Sequence, residues 1–218
     1  MIKWIKRLFY KAKNTVYEPP TPERPTVPPL ETPIATIPTE TLNKFANLIT
    51  NEEGLLLCME SEGYHKKLIN GGCEAYLCPA NVWTIGYGTI KYPNGTKVKK
   101  GDRITHSDAV YFFKHEMDEK ENVLDKFLKD NNVSLNSNEF SALVSFAYNL
   151  GIGVCINKSY SMCRAILSGD RQRIAEAFML YTKAKNKWGI RVELRGLVLR
   201  RRRERSLFLK NSMERSSV

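Results

Sequence analysis

The rhythm of apolar positions changes several times along the chain, and each change predicts an element. Over residues 1–17, Ile2, Trp4, Ile5, Leu8, Phe9, Ala12 and Val16 share one side of a helical wheel. Lys3, Lys6, Arg7 and Lys13 take the other side, with Lys11 at the boundary. The pattern predicts a basic amphipathic helix, suited to an anionic membrane interface or to docking on its own domain. Periodicity stops over residues 18–38, which hold eight of the chain's ten prolines. Proline fixes φ and removes a donor, so a semi-rigid linker is expected there. A folded domain is expected over residues 39–210, followed by a flexible tail over 211–218.

Within that domain, Thr50 with Glu53 suggests a capping box ahead of Leu55, Leu56, Leu57 and Met59. Glu62 then falls at the C-terminal end of a helix. From Gly71 to Thr96, aromatic and β-branched residues alternate with Gly, Pro and Asn, as in short hairpins. Thr105 with Asp108 suggests a second capping box, opening a long helix through Val110, Phe113, Met117, Leu124 and Leu128. A helix near Asn138 to Leu150 carries Phe140, Leu143, Phe146 and Ala147 on its apolar side and ends at Gly151. Ser161 to Leu167, Asp170 to Lys183 and Val192 to Leu209 suggest three further helices. The predicted class is α+β, mostly helical, and no internal repeat is present.

With 218 residues, 42% of them hydrophobic, the chain can bury one core or two small lobes sharing a cleft. A net charge of +11 points to polyanionic partners: nucleic acid, anionic lipid or bacterial wall polymers. No segment is apolar over the roughly 18 residues a membrane span needs, and no signal-peptide core follows the basic start. Synthesis in a reducing cytoplasm is therefore expected, with mostly free thiols at Cys58, Cys73, Cys78, Cys155 and Cys163. No cysteine pair has CxxC spacing, and His65, His106 and His115 are scattered, so neither a metal nor a cofactor is expected.

The chemistry concentrates in AYLCPANVWTIGYG, Ala75 to Gly88, with Glu62-Gly63 upstream. An acid facing a second polar group across a short hairpin is what glycosidic bond cleavage requires. Further along come Gly101 to Thr105, ALVSFAYNLG (Ala142 to Gly151), a Leu-x-Gly-Asp turn (Leu167 to Asp170), and GLVLRR with Glu204 and Leu207-Phe208. In this order the motifs resemble the phage-type lysozymes, glycoside hydrolase family 24, over roughly Thr50 to Leu209.

The resemblance implies a lysozyme-like fold, with a small β-hairpin lobe and a larger helical lobe around a cleft. It also implies hydrolysis of the β-1,4 bond between N-acetylmuramic acid and N-acetylglucosamine in peptidoglycan, and lysis of a bacterial host. The family's Glu, Asp-or-Cys and Thr pattern falls on Glu62, Cys78 and Thr84, the last two in register at a spacing of 6. Three departures stand out. Sixteen positions separate Glu62 from Cys78, which places an insertion within Tyr64 to Glu74; loop length costs little entropy. Thr89 stands where many members have His. Cys occupies the second catalytic position in place of Asp.

On this reading Glu62 is the general acid, a role that calls for a partly closed, apolar cleft. Tyr76, Trp83 and Tyr87 either wall that cleft and stack on sugars or form the core of the hairpin lobe. Cys78 holds water, acts as a thiolate or nucleophile, or is structural; a free thiol titrates near about 8.5. Thr84 positions the attacking water or is a β-branched strand residue, and its register with Cys78 favours the first. Asn149 lines the cleft, caps its helix, or both. One of Arg200 and Arg201 pairs with Glu62, and the run Arg200 to Arg203 is otherwise a solvated helix face. That run lacks aromatic interleaving, so no specific nucleic-acid partner is expected. The expected partners are peptidoglycan, an anionic membrane through residues 1–17, and a holin-type pore giving access to the wall. A monomer is expected, made in the host cytoplasm and acting in the periplasm or outside the membrane. The competing readings are a lytic transglycosylase, a non-catalytic wall-binding or virion-structural protein, and a basic nucleic-acid binder.

Overall fold

Helix α1 (Glu52–Glu62) starts one residue later than its capping-box pattern suggests. The cap is Asn51, whose side chain accepts from Gly54 N at 3.0 Å. Thr50 instead donates its backbone N–H to Glu121 at 3.1 Å, a tertiary bond between residues 71 positions apart. This computed structural model describes residues 48–78, 81–185 and 188–210, all of which fall in a single compact unit. The amphipathic helix expected over 1–17, the linker over 18–38, the start of the domain and the tail over 211–218 lie outside the described residues.

The remaining helices are α2 (His106–Asp130), α3 (Ser137–Leu150), α4 (Gly153–Ile156), α5 (Ser161–Ser168), α6 (Arg171–Phe178) and α7 (Arg195–Leu209). The Thr105–Asp108 capping box forms as expected, with bonds in both directions. A second box, Asn136 with Glu139, opens α3. α3 is buried on every side from Glu139 to Ala147, not only along the apolar stripe. It is the spine of the helical lobe, and α1, α2 and α7 all pack on it. The approach of α1 is close enough that a Cβ on Gly54 would lie 2.6 Å from Ser141 Cβ. Phe146 of α3 meets Phe178 and Tyr181 edge-on, at 5.2 and 5.1 Å between centroids. Each fully buried ring of this kind contributes roughly 1.5–3 kcal/mol.

Two expected helices change. The one beginning at Asp170 has that residue as its cap and ends at Phe178. The next residues form a hairpin, β5 (Lys183–Lys185) with β6 (Arg191–Glu193), so the last helix starts at Arg195 rather than Val192. Lys and Ala favour helix locally. Here the cross-strand pairing of Ala184 with Val192 and a turn through Gly189, at φ 78°, decide otherwise.

The small lobe is built from two short ladders. β1 (Cys73–Glu74) pairs with β4 (Arg103–Ile104), and β2 (Tyr76–Leu77) pairs with β3 (Trp83–Thr84). Its core is Cys73, Ala75, Ile85 and Val98, flanked by Tyr64, Trp83, Tyr92 and Ile104. The insertion within Tyr64 to Glu74 is a miniature hairpin, closed by the Lys67–Cys73 bridge and tied down by a bond from Tyr64 OH to Gly71 O at 3.1 Å. Among the described residues, no helix is long and apolar enough to cross a membrane.

Candidate active site

Glu62 is the last residue of α1, and Gly63, at φ 73°, turns the chain away beyond it. Its side chain keeps 19% exposure. Oε1 accepts from Arg200 Nη1 at 2.5 Å. Arg200 belongs to α7, and three further groups fix it. Its Nε donates to Glu204 Oε1 at 3.1 Å, its Nη2 donates to Ser145 O at 3.1 Å, and Cys58 Sγ lies 3.7 Å from Nη2. Arg201 pairs with the other face of Glu204 at 3.1 Å, donates to Asn149 Oδ1 at 2.8 Å, and lays its guanidinium 4.6 Å over the Phe146 ring.

The solvated-face expectation therefore fails at Arg200 and Arg201, which are 6% and 0% exposed, while Arg202 and Arg203 do face solvent. The reason is helical spacing: Glu204 lies i+4 from one arginine and i+3 from the other, so all three share the buried side of α7. Burial works against the Arg200 charge, but Glu62 and Glu204 outweigh it and its pKa is raised. At Arg201 burial prevails and the pKa falls to about 10. Burial also pushes the Cys58 thiol well up, keeping it neutral beside Arg200.

The hairpin reaches Glu62 from the opposite side. Gly88, at φ 101°, brings its backbone so close that a Cβ there would lie 3.3 Å from Glu62 Oε2. The β2–β3 register sets Thr84 opposite Tyr76, and strand alternation places Cys78 on that same face. Thr84 is 4% exposed, and its Oγ1 donates to Val82 O at 3.1 Å. Cys78 is half-buried at the start of the turn, its N–H bonded to Val82 O at 3.0 Å. Tyr76 lies between the two sides: burial first, then Cys78 and Glu62, raise its pKa.

The other aromatics divide. Tyr87 is 7% exposed, donates to or accepts from His106 Nε2 at 2.9 Å, and packs on Tyr64 and Phe113. It supports the wall from behind and offers no ring face to a sugar. Trp83 rests half-buried against the small-lobe core. A groove of about 920 Å³ opens beside the acid, lined by Ser61, Glu62, Asn149, Leu194, Leu197 and Arg200 among others; neither Cys78 nor Thr84 lines it. Among the described residues no cluster could hold a metal ion.

The phage lysozyme family model matches residues 69–204. The chain belongs to the phage lysozyme family. It is 31% identical to the endolysin of Acyrthosiphon pisum secondary endosymbiont phage 1 over 158 residues, which is 72% of this chain and 96% of that protein. Its fold is similar to a solved endolysin from Escherichia coli O157:H7 phage FAHEc1, at TM-score 0.64 and 31% identity over 75% of this chain and 95% of that one. It is also similar to the muramidase domain of SpmX from Asticaccaulis excentricus, at TM-score 0.62 and 26% identity over 75% and 99% of the respective chains. As a phage lysozyme, the protein is a glycoside hydrolase with peptidoglycan as its substrate.

The family match begins beyond Glu62, so the position of this carboxylate rests on its geometry. The sequence motifs assign no role in this site to Glu204, Ser145 or Cys58, although Ser145 lies within ALVSFAYNLG and Glu204 closely follows GLVLRR. Glu204 alone left a usable signal, a carboxylate at helical spacing from two arginines and next to Leu207-Phe208.

Proposed function

We propose that this chain is an endolysin that cleaves the β-1,4 bond between N-acetylmuramic acid and N-acetylglucosamine, with Glu62 as general acid. The observation that carries this reading is the double hold on Glu62: Arg200 on Oε1 and the Gly88 turn against Oε2, at the edge of an open groove. Arg200 anchors one oxygen, leaving Oε2 to carry a proton to the leaving glycosidic oxygen. Cys78 and Thr84 share the hairpin face across from the acid, where they orient the water that attacks the anomeric carbon. Tyr76 and Asn149 touch the substrate between them, and Arg201 holds the Asn149 amide in place.

The enzyme acts as a monomer on the wall in the periplasm or outside the membrane, after synthesis in the host cytoplasm. A holin-type pore, or the basic segment of residues 1–17 acting on anionic lipid, gives it access.

Turbidity loss of purified peptidoglycan tests the reading with wild type and Glu62→Gln. Wild type should clear the suspension, and Glu62→Gln should fall by about 10³-fold while keeping its circular dichroism spectrum. Equal clearance by both proteins would remove Glu62 from the mechanism. Product mass separates hydrolysis from transglycosylation, which leaves an anhydro sugar and consumes no water.

A further inference from the structure

Gly88 sits against Glu62 Oε2, yet the turn that carries it is compliant. Glycines at 86 and 88, at φ 62° and 101°, flank Tyr87, and glycine is the residue that restrains its backbone least. Two backbone bonds between Ile85 and Thr89, at 2.9 and 3.0 Å, close the base of the turn. The Tyr87 hydroxyl is tied to His106 Nε2 at 2.9 Å, which holds the side chain. Neither contact fixes the Tyr87–Gly88 peptide, the piece of backbone that leads to Glu62. The carbonyl of that peptide accepts from the Tyr148 hydroxyl at 3.0 Å, a bond between residues 61 positions apart.

Tyr148 is itself firmly held. Its ring packs on Phe113 at 5.2 Å between centroids, and Lys120 Nζ lies 4.9 Å from its centroid. Lys120 is fixed in turn by a bond to Glu116 O at 3.2 Å. The ring edge of Tyr148 comes within 3.9 Å of the Gly88 Cβ position. Burial first, then Glu116, Cys58 and Glu62, push the phenol pKa well up, so the hydroxyl keeps the proton it donates. Helical spacing links this brace to the other hold on the acid. Tyr148 lies three residues beyond Ser145, on the same side of α3. Ser145 O accepts from Arg200 Nη2 at 3.1 Å, and Arg200 grips Glu62 Oε1. One side of α3 thus supports the group on each carboxyl oxygen.

We propose that Tyr148 is a positioning residue for the glycosidase reaction: through the Tyr87–Gly88 peptide it holds the hairpin turn against Glu62 Oε2, the oxygen that carries the proton. Tyr148 is not among the residues lining the groove beside the acid, so it acts through Glu62 and not on the substrate. The proposal rests on the reading of Glu62 as general acid.

The test compares four full-length chains: wild type, Tyr148→Phe, Glu62→Gln and the double variant. Phenylalanine keeps the ring and its packing and removes only the hydroxyl. Steady-state kinetics on soluble glycan strands from peptidoglycan separate kcat from KM. Tyr148→Phe should lose about tenfold in kcat with KM unchanged, the effect of one hydrogen bond on the aim of the acid. In the Glu62→Gln background the same substitution should change the residual rate by less than about twofold, because the group it positions is gone. A wild-type kcat in Tyr148→Phe, a change confined to KM, or a full tenfold loss that persists in the Glu62→Gln background overturns the brace. Glu62→Gln as active as wild type overturns the acid reading and the brace with it. An inactive Glu62→Gln beside a fully active Tyr148→Phe overturns the brace alone.

Discussion

The two sides of the cleft are built in opposite ways. On the helical side, Glu62 ends a chain of charges that runs through Arg200 to Glu204 and Arg201, and the last three side chains are 6%, 0% and 0% exposed. On the hairpin side, Thr84 sits on a ladder only two residues long per strand, and Cys78 lies just beyond it, held by a backbone bond to Val82. In a water-poor interior each charge depends on its partner, so the first arrangement holds its geometry tightly and tolerates few replacements. The second depends on backbone register, which a change of side chain does not disturb. That contrast suits a site whose proposed acid is fixed while the group opposite it is a thiol where many family members carry a carboxylate.

Glu204→Ala should produce the largest effect. It leaves two arginines buried without their carboxylate, and a loss of about 3–5 kcal/mol is expected in urea unfolding. The exposed Lys126–Asp130 pair, at 2.8 Å, provides the control: Asp130→Ala should cost at most about 0.5 kcal/mol. Comparable losses from both would remove the claim that the buried charge network holds the helical side.

Arg200→Lys comes next. Lysine keeps the charge but cannot fork between Glu62, Glu204 and the Ser145 carbonyl. The expected signature is a fall in kcat of about 10²-fold with KM little changed, because the acid is misaimed while substrate contacts persist. A change confined to KM would assign Arg200 to substrate binding instead.

On the hairpin side, effects should be smaller. Cys78→Asp should keep activity within a few-fold, since the register that positions residue 78 does not depend on its side chain. Cys78→Ala should lose roughly tenfold or more in the turbidity assay. Full activity in Cys78→Ala would make the thiol structural and leave Thr84 as the polar group facing the acid.

The smallest effect concerns Glu116, below the Gly88–Thr89 turn. Burial raises its pKa, offset only in part by Lys120, Thr89 and Tyr148. A carboxyl with a raised folded pKa contributes stability below its unfolded value, about 4.3, and loses that contribution as pH rises through the folded value. Glu116→Gln removes the dependence, so the variant should gain on wild type in thermal unfolding as pH climbs from about 4 to about 8. A variant that instead falls behind over that range would mean that Lys120 and the hydroxyls stabilise the charged carboxylate.

The features that sequence alone determined are local ones. The Thr105–Asp108 box, the turn-forming glycines after Glu62 and in TIGYG, and the Cys78–Thr84 spacing each depend on residues within a few positions of one another. Their chemistry therefore survives in any context that allows the element to form. Tertiary structure decided what depends on distant partners. Asn51 rather than Thr50 caps α1, while Glu121, far along the chain, binds the Thr50 N–H. Residues 183–185 and 191–193 pair as strands because Val192 returns to Ala184, against the helical preference of the lysines. In the sequence the run Arg200 to Arg203 reads as a solvent-facing helix side, apart from one arginine of the Arg200–Arg201 pair expected on Glu62. Arg200 and Arg201 are buried because Glu204, Glu62, Ser145 and Asn149 converge on them from three helices and pair with their charge. Desolvating a charge is favourable only when such partners are already in place, and no short stretch of chain carries that information.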